Sequence, residues 1–333
     1  MKKILIIFLV LFILSYFFRG YVNDMITGKV IYEEEKEIIP REFGEINIYF
    51  CPSNDCEKAL VEVISKSSKV DCAFFDLDLE KVMGMLTNKN YRVVIDKDNS
   101  DKINNLDNVV FDNRKEFMHN KFCALEINGR KFITSGSMNP TNSDAKINKN
   151  DLVIIESNTL YDNYEDEFNE LWNLNFGKGD KVKNSKVIFN NYLIENYFCP
   201  EDECEEKLIS LIDSAKIRVY FMVFSFTSDK IGDAIIKNND YGINVKGVFD
   251  NMQAGSKYSE FWRLDKAGLS VKREDEKGFL HHKVFIIDDS VFFGSYNPTG
   301  SGNKANDENV LIIHNKEIAE KFVEEFESSY SGN

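Results

Sequence analysis

A pattern that occurs twice limits this 333-residue chain more than any other feature. Residues 119–126 read H-N-K-F-C-A-L-E and residues 281–288 read H-H-K-V-F-I-I-D. G-S-M-N-P-T follows the first at 136–141, and G-S-Y-N-P-T the second at 294–299. Residues 284–287 are β-branched and aromatic, which predicts a buried strand. Asp288-Asp289-Ser290 predicts a turn and 291–293 the returning strand. In the first copy Asn128-Gly129 supplies the turn of a two-residue hairpin. Residues i and i+2 of a strand share a face, so His281 projects with Lys283 and Ser295 with Asn297. His119 and Lys121, and Ser137 and Asn139, are the matching pairs. Each hairpin end thus gathers an imidazole, an ammonium, a hydroxyl and an amide. A phosphoryl group needs such a set: one group to attack or protonate, and donors for its oxygens. His119 lies 20 positions before Asn139 and His281 lies 16 before Asn297. That difference adds two residues to each arm, so every facing is kept.

H-x-K-x4-D followed by G-S-x-N, present twice, resembles the phospholipase D superfamily. Three of the chain's four histidines fall in these motifs, and the resemblance covers nearly everything beyond residue 45. It implies an α/β fold of two duplicated layered domains related by a pseudo-two-fold, with one active site at their interface. It also implies that one histidine forms a phosphohistidine while the other protonates the leaving alcohol. Lys121, Lys283, Asn139 and Asn297 then hold the phosphoryl oxygens, with no metal and no cofactor required. The resemblance gives the roles to His119 as nucleophile and His281 as acid.

A catalytic histidine needs a partner for its second ring nitrogen. The family places a carboxylate downstream of G-S-x-N. In the second half this is Glu308; the equivalent first-half position is Asn150, followed by Asp151. Either Asn150 or Asp151 is therefore expected to orient His119. Glu126 stands where the motif usually has aspartate, and Asp288 keeps it. Both sit at an odd offset from their histidine, which points them away from its face and gives them a structural role. His282 faces away from His281 and reads as packed; His314 reads as surface.

The repeat extends around the motifs. Strands are expected near 47–50, 70–75 and 91–95, with helices at 57–67 and 79–86. The second copy has strands at 197–198, 217–226 and 244–249, and helices at 205–214 and 229–237. A last strand (152–155 and 310–313) and an amphipathic helix close each copy. Alternating strands and helices give layered α/β units, and the duplication gives two of them. The expected division is an anchor at 1–22, a polar stalk at 23–45, domains at 46–176 and 187–333, and a linker at 177–186. The extra length of the second copy falls in 251–277. That segment reads either as a roof over the cleft or as a surface piece docked by Tyr258, Phe261 and Trp262.

Lys2 and Lys3 precede an apolar run at 4–18. A helix of that length spans about 22 Å, short of the roughly 30 Å hydrocarbon core. Few small residues follow it, so an uncleaved signal anchor is expected, with the remainder outside the cytoplasm. Six cysteines are present. Cys51 and Cys56, and Cys199 and Cys204, sit at matching places, which suits two small disulfides in an oxidising compartment. A zinc site built from both pairs is the alternative. Cys72 and Cys123 read as core thiols.

Net charge of -14 opposes tight binding to bulk nucleic acid. That charge, the anchor and 27 phenylalanines favour a phospholipid diester, hydrolysed or passed to another alcohol. An anchored endonuclease is the alternative within the superfamily, and an inactive binding module the alternative outside it. No obligate protein partner is evident.

Overall fold

The computed structural model describes Ser15 and residues 38–332 apart from 104 and 275. The expected anchor and most of the stalk lie outside the described residues. Among the described residues no helix is long and apolar enough to cross a membrane.

The first half runs β1 (Arg41–Glu42), β2 (Ile46–Cys51), α1 (Cys56–Lys66), β3 (Lys69–Phe74), α2 (Glu80–Leu86), β4 (Asn90–Asp96) and β5 (Val109–Asp112). The hairpin β6 (Lys121–Ile127) and β7 (Arg130–Gly136) follows, then α3 (Asn142–Lys146), β8 (Asn150–Glu156) and α4 (Asn158–Trp172). The second half runs β9 (Lys186–Phe189), β10 (Tyr192–Cys199), α5 (Cys204–Asp213), β11 (Arg218–Val223), α6 (Asp229–Asp240), β12 (Asn244–Asp250), α7 (Asn251–Ala254), α8 (Phe261–Lys266) and β13 (Ser270–Glu274). It closes with the hairpin β14 (Lys283–Ile287) and β15 (Ser290–Gly294), α9 (Gly300–Lys304), β16 (Glu308–His314) and α10 (Lys316–Ser331).

Two sheets result. One has the order β2-β8-β7-β6-β3-β4-β5; the other has β10-β16-β15-β14-β11-β12-β13 in the same sense, extended at its edge by β9 and β1. The duplication is therefore structural as well as textual. Local chemistry sets the element ends. Asn128 and Gly129 take φ of 51° and 79°, as a tight hairpin turn needs. Asp55, Thr141, Ser157, Thr299 and Asn315 each accept a backbone N–H at a helix start. One apolar core joins Phe122, Ile133 and Phe168 of the first half to Phe293, Phe322 and Phe326 of the second, so the final helices of both halves lie between the sheets.

Several expectations change here. Residues 41–42 are not stalk: β1 pairs with β9 of the second-half sheet, and Glu42 accepts the Thr159 N–H at 2.9 Å. Edge strands β5 and β13 had no clear signal because each is short and only partly buried. The 251–277 segment is docked by Phe261 against Phe249, and Trp262 stacks on Arg273; it does not line the cleft described below. Cys72 and Cys123 are not free thiols. They face each other across β3 and β6 and form a disulfide, with Cα atoms 4.1 Å apart. Cys51–Cys56 and Cys199–Cys204 are also bonded, which leaves those four thiols unavailable to a zinc site. Cys51 pairs in register with Asn150 and Cys199 with Glu308, so each small loop pins a strand end that carries a site residue.

Candidate active site

Each motif strand begins at a crossing between the halves. Met118 bridges Asp307, and Leu280 bridges Lys149. The His119 N–H donates to Asp307 O at 2.9 Å, and the His281 N–H to Lys149 O at 2.8 Å. Each histidine is thereby laid beside the start of the other half's last strand. His119 Nδ1 lies 2.7 Å from Glu308 Oε2, and His281 Nδ1 lies 2.8 Å from Asn150 Oδ1. This corrects the expected pairing within each half: neither Asn150 nor Asp151 orients His119. Asp151 instead bonds His282 Nδ1 at 3.0 Å and accepts from Ser137 Oγ at 2.8 Å. His282 is packed, as its odd offset requires, between Asp151 and Glu325. His314 is not free surface; Glu195 and Ser290 hold its ring.

The two lysines are placed alike. Lys121 Nζ donates to His119 O at 2.6 Å and lies 5.2 Å from the Phe75 ring centroid; Lys283 Nζ donates to His281 O at 2.6 Å and lies 5.1 Å from Phe224. Phe75 and Phe224 also meet His119 and His281 edge-on. The serines support the second strand of each hairpin, with Ser295 Oγ donating to Glu308 at 2.6 Å. The glycine before each serine is obligatory. Gly136 and Gly294 have φ of 138° and 148°, and a Cβ would fall 2.3 Å from Asp151 O and 2.1 Å from Asn309 O. Glu126 and Asp288 lie away from the histidines. Asp288 accepts the N–H groups of Lys216, Ile217 and Arg218, and Glu126 accepts from Tyr161.

A cleft of about 850 Å³ opens over the histidines. His119, His281, Asn139 and Asn297 reach it, and Phe75, Phe117, Phe224 and Phe279 line it. Its charged lining is Asp76, Asp78, Asp144 and Lys102, and Lys102 is bound to Asp76 at 2.8 Å. Burial, then each lysine's charge, drives the His119 pKa well below its ordinary value; burial and Lys283 bring His281 down to about 4. Burial brings Lys121 down to about 8 and Lys283 to about 7, and pushes Glu308 up to about 7. Burial thus disfavours the cations beneath the cleft, and a bound anion would reverse that.

Asp144, Phe75, Phe117, Phe224 and Phe279 were missed from sequence. A signal existed for Phe117 and Phe279, since F-x-H precedes both motifs at 117–119 and 279–281. Among the described residues, carboxylates that could hold a metal meet at Glu167, Glu170 and Glu201, outside the cleft lining.

With this geometry in place, the comparisons with known proteins decide the family. The family described as cardiolipin synthase, PLD-like domain, matches residues 45–172 and 208–330. The chain belongs to the phospholipase D-like family. It is a phosphodiesterase of that family, built from two copies of its domain. It is 29% identical over 141 residues to a phospholipase D from Rickettsia conorii, covering 42% of this chain and 70% of that protein. It is 32% identical over 122 residues to a mitochondrial cardiolipin hydrolase from Canis lupus familiaris, covering 36% and 48%. The phosphatidylserine synthase structure from Haemophilus influenzae shares the fold, with a TM-score of 0.61, 11% identity and coverage of 85% of each chain.

Proposed function

We propose that this phospholipase D-like protein cleaves phospholipid headgroups through a covalent phosphohistidine. The observation that carries the reading is the cleft itself: the histidines of the two H-x-K pairs share an opening lined by phenylalanines and acidic residues, with Lys121 and Lys283 buried directly behind them. His119 Nε2 attacks phosphorus, forming an N–P bond as the bond to the headgroup oxygen breaks. His281 gives that oxygen its proton. A water then attacks phosphorus, passes a proton to His281, and frees His119 and the phosphatidic acid. A second alcohol in place of water makes the same step a headgroup transfer. Lys121, Lys283, Asn139 and Asn297 balance the charge that develops on the phosphoryl oxygens. Three disulfides fit a domain outside the cytoplasm, and the N-terminal apolar run would hold it at a membrane.

A polynucleotide carries charge on both sides of the scissile bond and would run past Asp76 and Asp78. A lipid brings one diester and apolar chains that the four phenylalanines accommodate. The test offers residues 38–333 mixed phospholipid micelles and single- and double-stranded DNA at physiological salt, with His119→Ala as blank. Lipid turnover well above DNA cleavage is expected. DNA cleavage without lipid turnover would make the protein an anchored nuclease instead.

The buried lysines predict anion binding with a defined pH dependence. Burial brings both below their ordinary value, Lys121 to about 8 and Lys283 to about 7, so both lose charge as pH rises through that range. Tungstate keeps its two charges from pH 7 to 9. It should raise the melting temperature by several degrees at pH 7. The shift should shrink as pH rises through 8 and vanish in Lys283→Ala. An equal shift at pH 9 would show that the lysines do not hold the anion.

A further inference from the structure

Compared position by position, the two halves differ where the histidine partners lie. Thr141 and Thr299 cap the equivalent helices α3 and α9. Counting three residues on gives Asp144 in one half and Gly302 in the other; counting nine gives Asn150 and Glu308. Each half therefore has one carboxylate, at a different place. Glu308 serves His119 at 2.7 Å. Asp144 Oδ2 approaches His281 Nδ1 at 3.4 Å, beside the 2.8 Å bond to Asn150 Oδ1.

The surroundings of Asp144 fix it firmly. It is buried, and its Oδ2 accepts the Asn139 N–H and Asn139 Nδ2, both at 2.8 Å. Its Oδ1 accepts from Asn148 Nδ2 at 2.7 Å. Asn150 Nδ2 donates to Asp144 O at 3.1 Å, which turns the Asn150 oxygen toward His281. An amide oxygen only accepts, so His281 Nδ1 carries a proton and Nε2 is left for the cleft. One carboxylate thus touches a histidine and an asparagine of the same phosphoryl site. Gly302, by contrast, has no room for a side chain, since a Cβ there would fall 2.3 Å from Asn297 O.

We propose that Asp144 is the positioning residue for His281, a carboxylate moved from position 150 to the short helix α3, and that it fits His281 to act as the acid. The idea rests on the catalytic reading of the cleft given above. The leading charged groups acting on His281 are Lys283 at the start of β14, Lys121 at the start of β6 and Asp144 on α3. The two lysines oppose an imidazolium and Asp144 alone of the three favours it. Against the cost of burial, His281 and the bonds from Asn148 and Asn139 hold the Asp144 carboxyl below its ordinary range, so it is ionised at neutral pH.

Asp144→Asn keeps the shape and removes the charge. It should lower kcat about 10²-fold on an alkyl phosphodiester, whose leaving group needs a proton. The loss should be much smaller on bis(p-nitrophenyl) phosphate, whose leaving group does not. The alkaline limb of kcat should move to lower pH. The double variant Asp144→Gly/Asn150→Glu rebuilds the arrangement of the other half and should recover most of the loss seen in Asp144→Gly. Equal losses on both diesters with an unmoved limb would overturn the proposal, as would a stably folded double variant no better than the single one. NMR titration of the His281 ring reads the same coupling without turnover: its pKa should fall in Asp144→Asn, and an unchanged value would overturn the proposal. A wild-type protein inactive on every diester would instead remove the catalytic reading and leave the titration to decide Asp144.

Discussion

Replacing His119 or His281 by alanine should each remove turnover of an alkyl phosphodiester, although the two residues come from different halves. The cleft contains one of each, and neither half alone carries a complete set. Loss of the nucleophile should cost on the order of 10⁴-fold or more, and loss of the acid about 10²- to 10⁴-fold. The phenyl diester separates them: His281→Ala should retain part of its rate on a good leaving group, whereas His119→Ala should not. Rapid denaturing quench at neutral to alkaline pH and peptide mapping should find the phosphoryl ester adduct on His119. The reason is electrostatic. A carboxylate at Nδ1 of His119 supports positive charge on a phosphorylated ring, while Asp144 and Asn150 keep His281 protonated at Nδ1. The adduct mapped to His281 would reverse the roles, and full activity in either variant would end the shared-site reading.

Removing the Cys72–Cys123 disulfide should cost more stability than removing either small one. It closes a separation of 51 residues, against 5 for Cys51–Cys56 and for Cys199–Cys204. Loop-closure entropy then gives about 4 kcal/mol for the long loop and about 2 kcal/mol for each short one. For a domain of this size the double variant Cys72→Ala/Cys123→Ala should melt roughly 10 °C lower. Both cysteines are fully buried, and Cys123 lies two residues beyond Lys121 on β6, so the bond also ties the motif strand to its neighbour. Calorimetry of the oxidised variants is the check. A drop no larger than that of Cys51→Ala/Cys56→Ala would mean that the unfolded chain is already constrained there.

The sequence by itself determined the repeat, the hairpins and the facing of their residues. Strand alternation is local, so His119 with Lys121, and His281 with Lys283, had to share a face, and Glu126, Asp288 and His282 had to turn away. Gly136 and Gly294 were visible only as part of the repeated G-S-x-N; the lack of space for a Cβ there comes from the neighbouring strand. The matched cysteine loops were equally legible, because five residues of separation place two thiols within reach whatever surrounds them.

Tertiary structure alone decided the partners. Glu308 serves His119, and Asn150 with Asp144 serves His281, because each motif strand starts on a bridge to the opposite half. Sequence spacing records distance along one copy and is blind to a crossing between two. The same limit hid the Cys72–Cys123 bond, which depends on β3 lying beside β6 with those residues in register. It also hid the pairing of β1 with β9, and the service of Asp144, which sits on a five-residue helix and meets His281 only across the two halves.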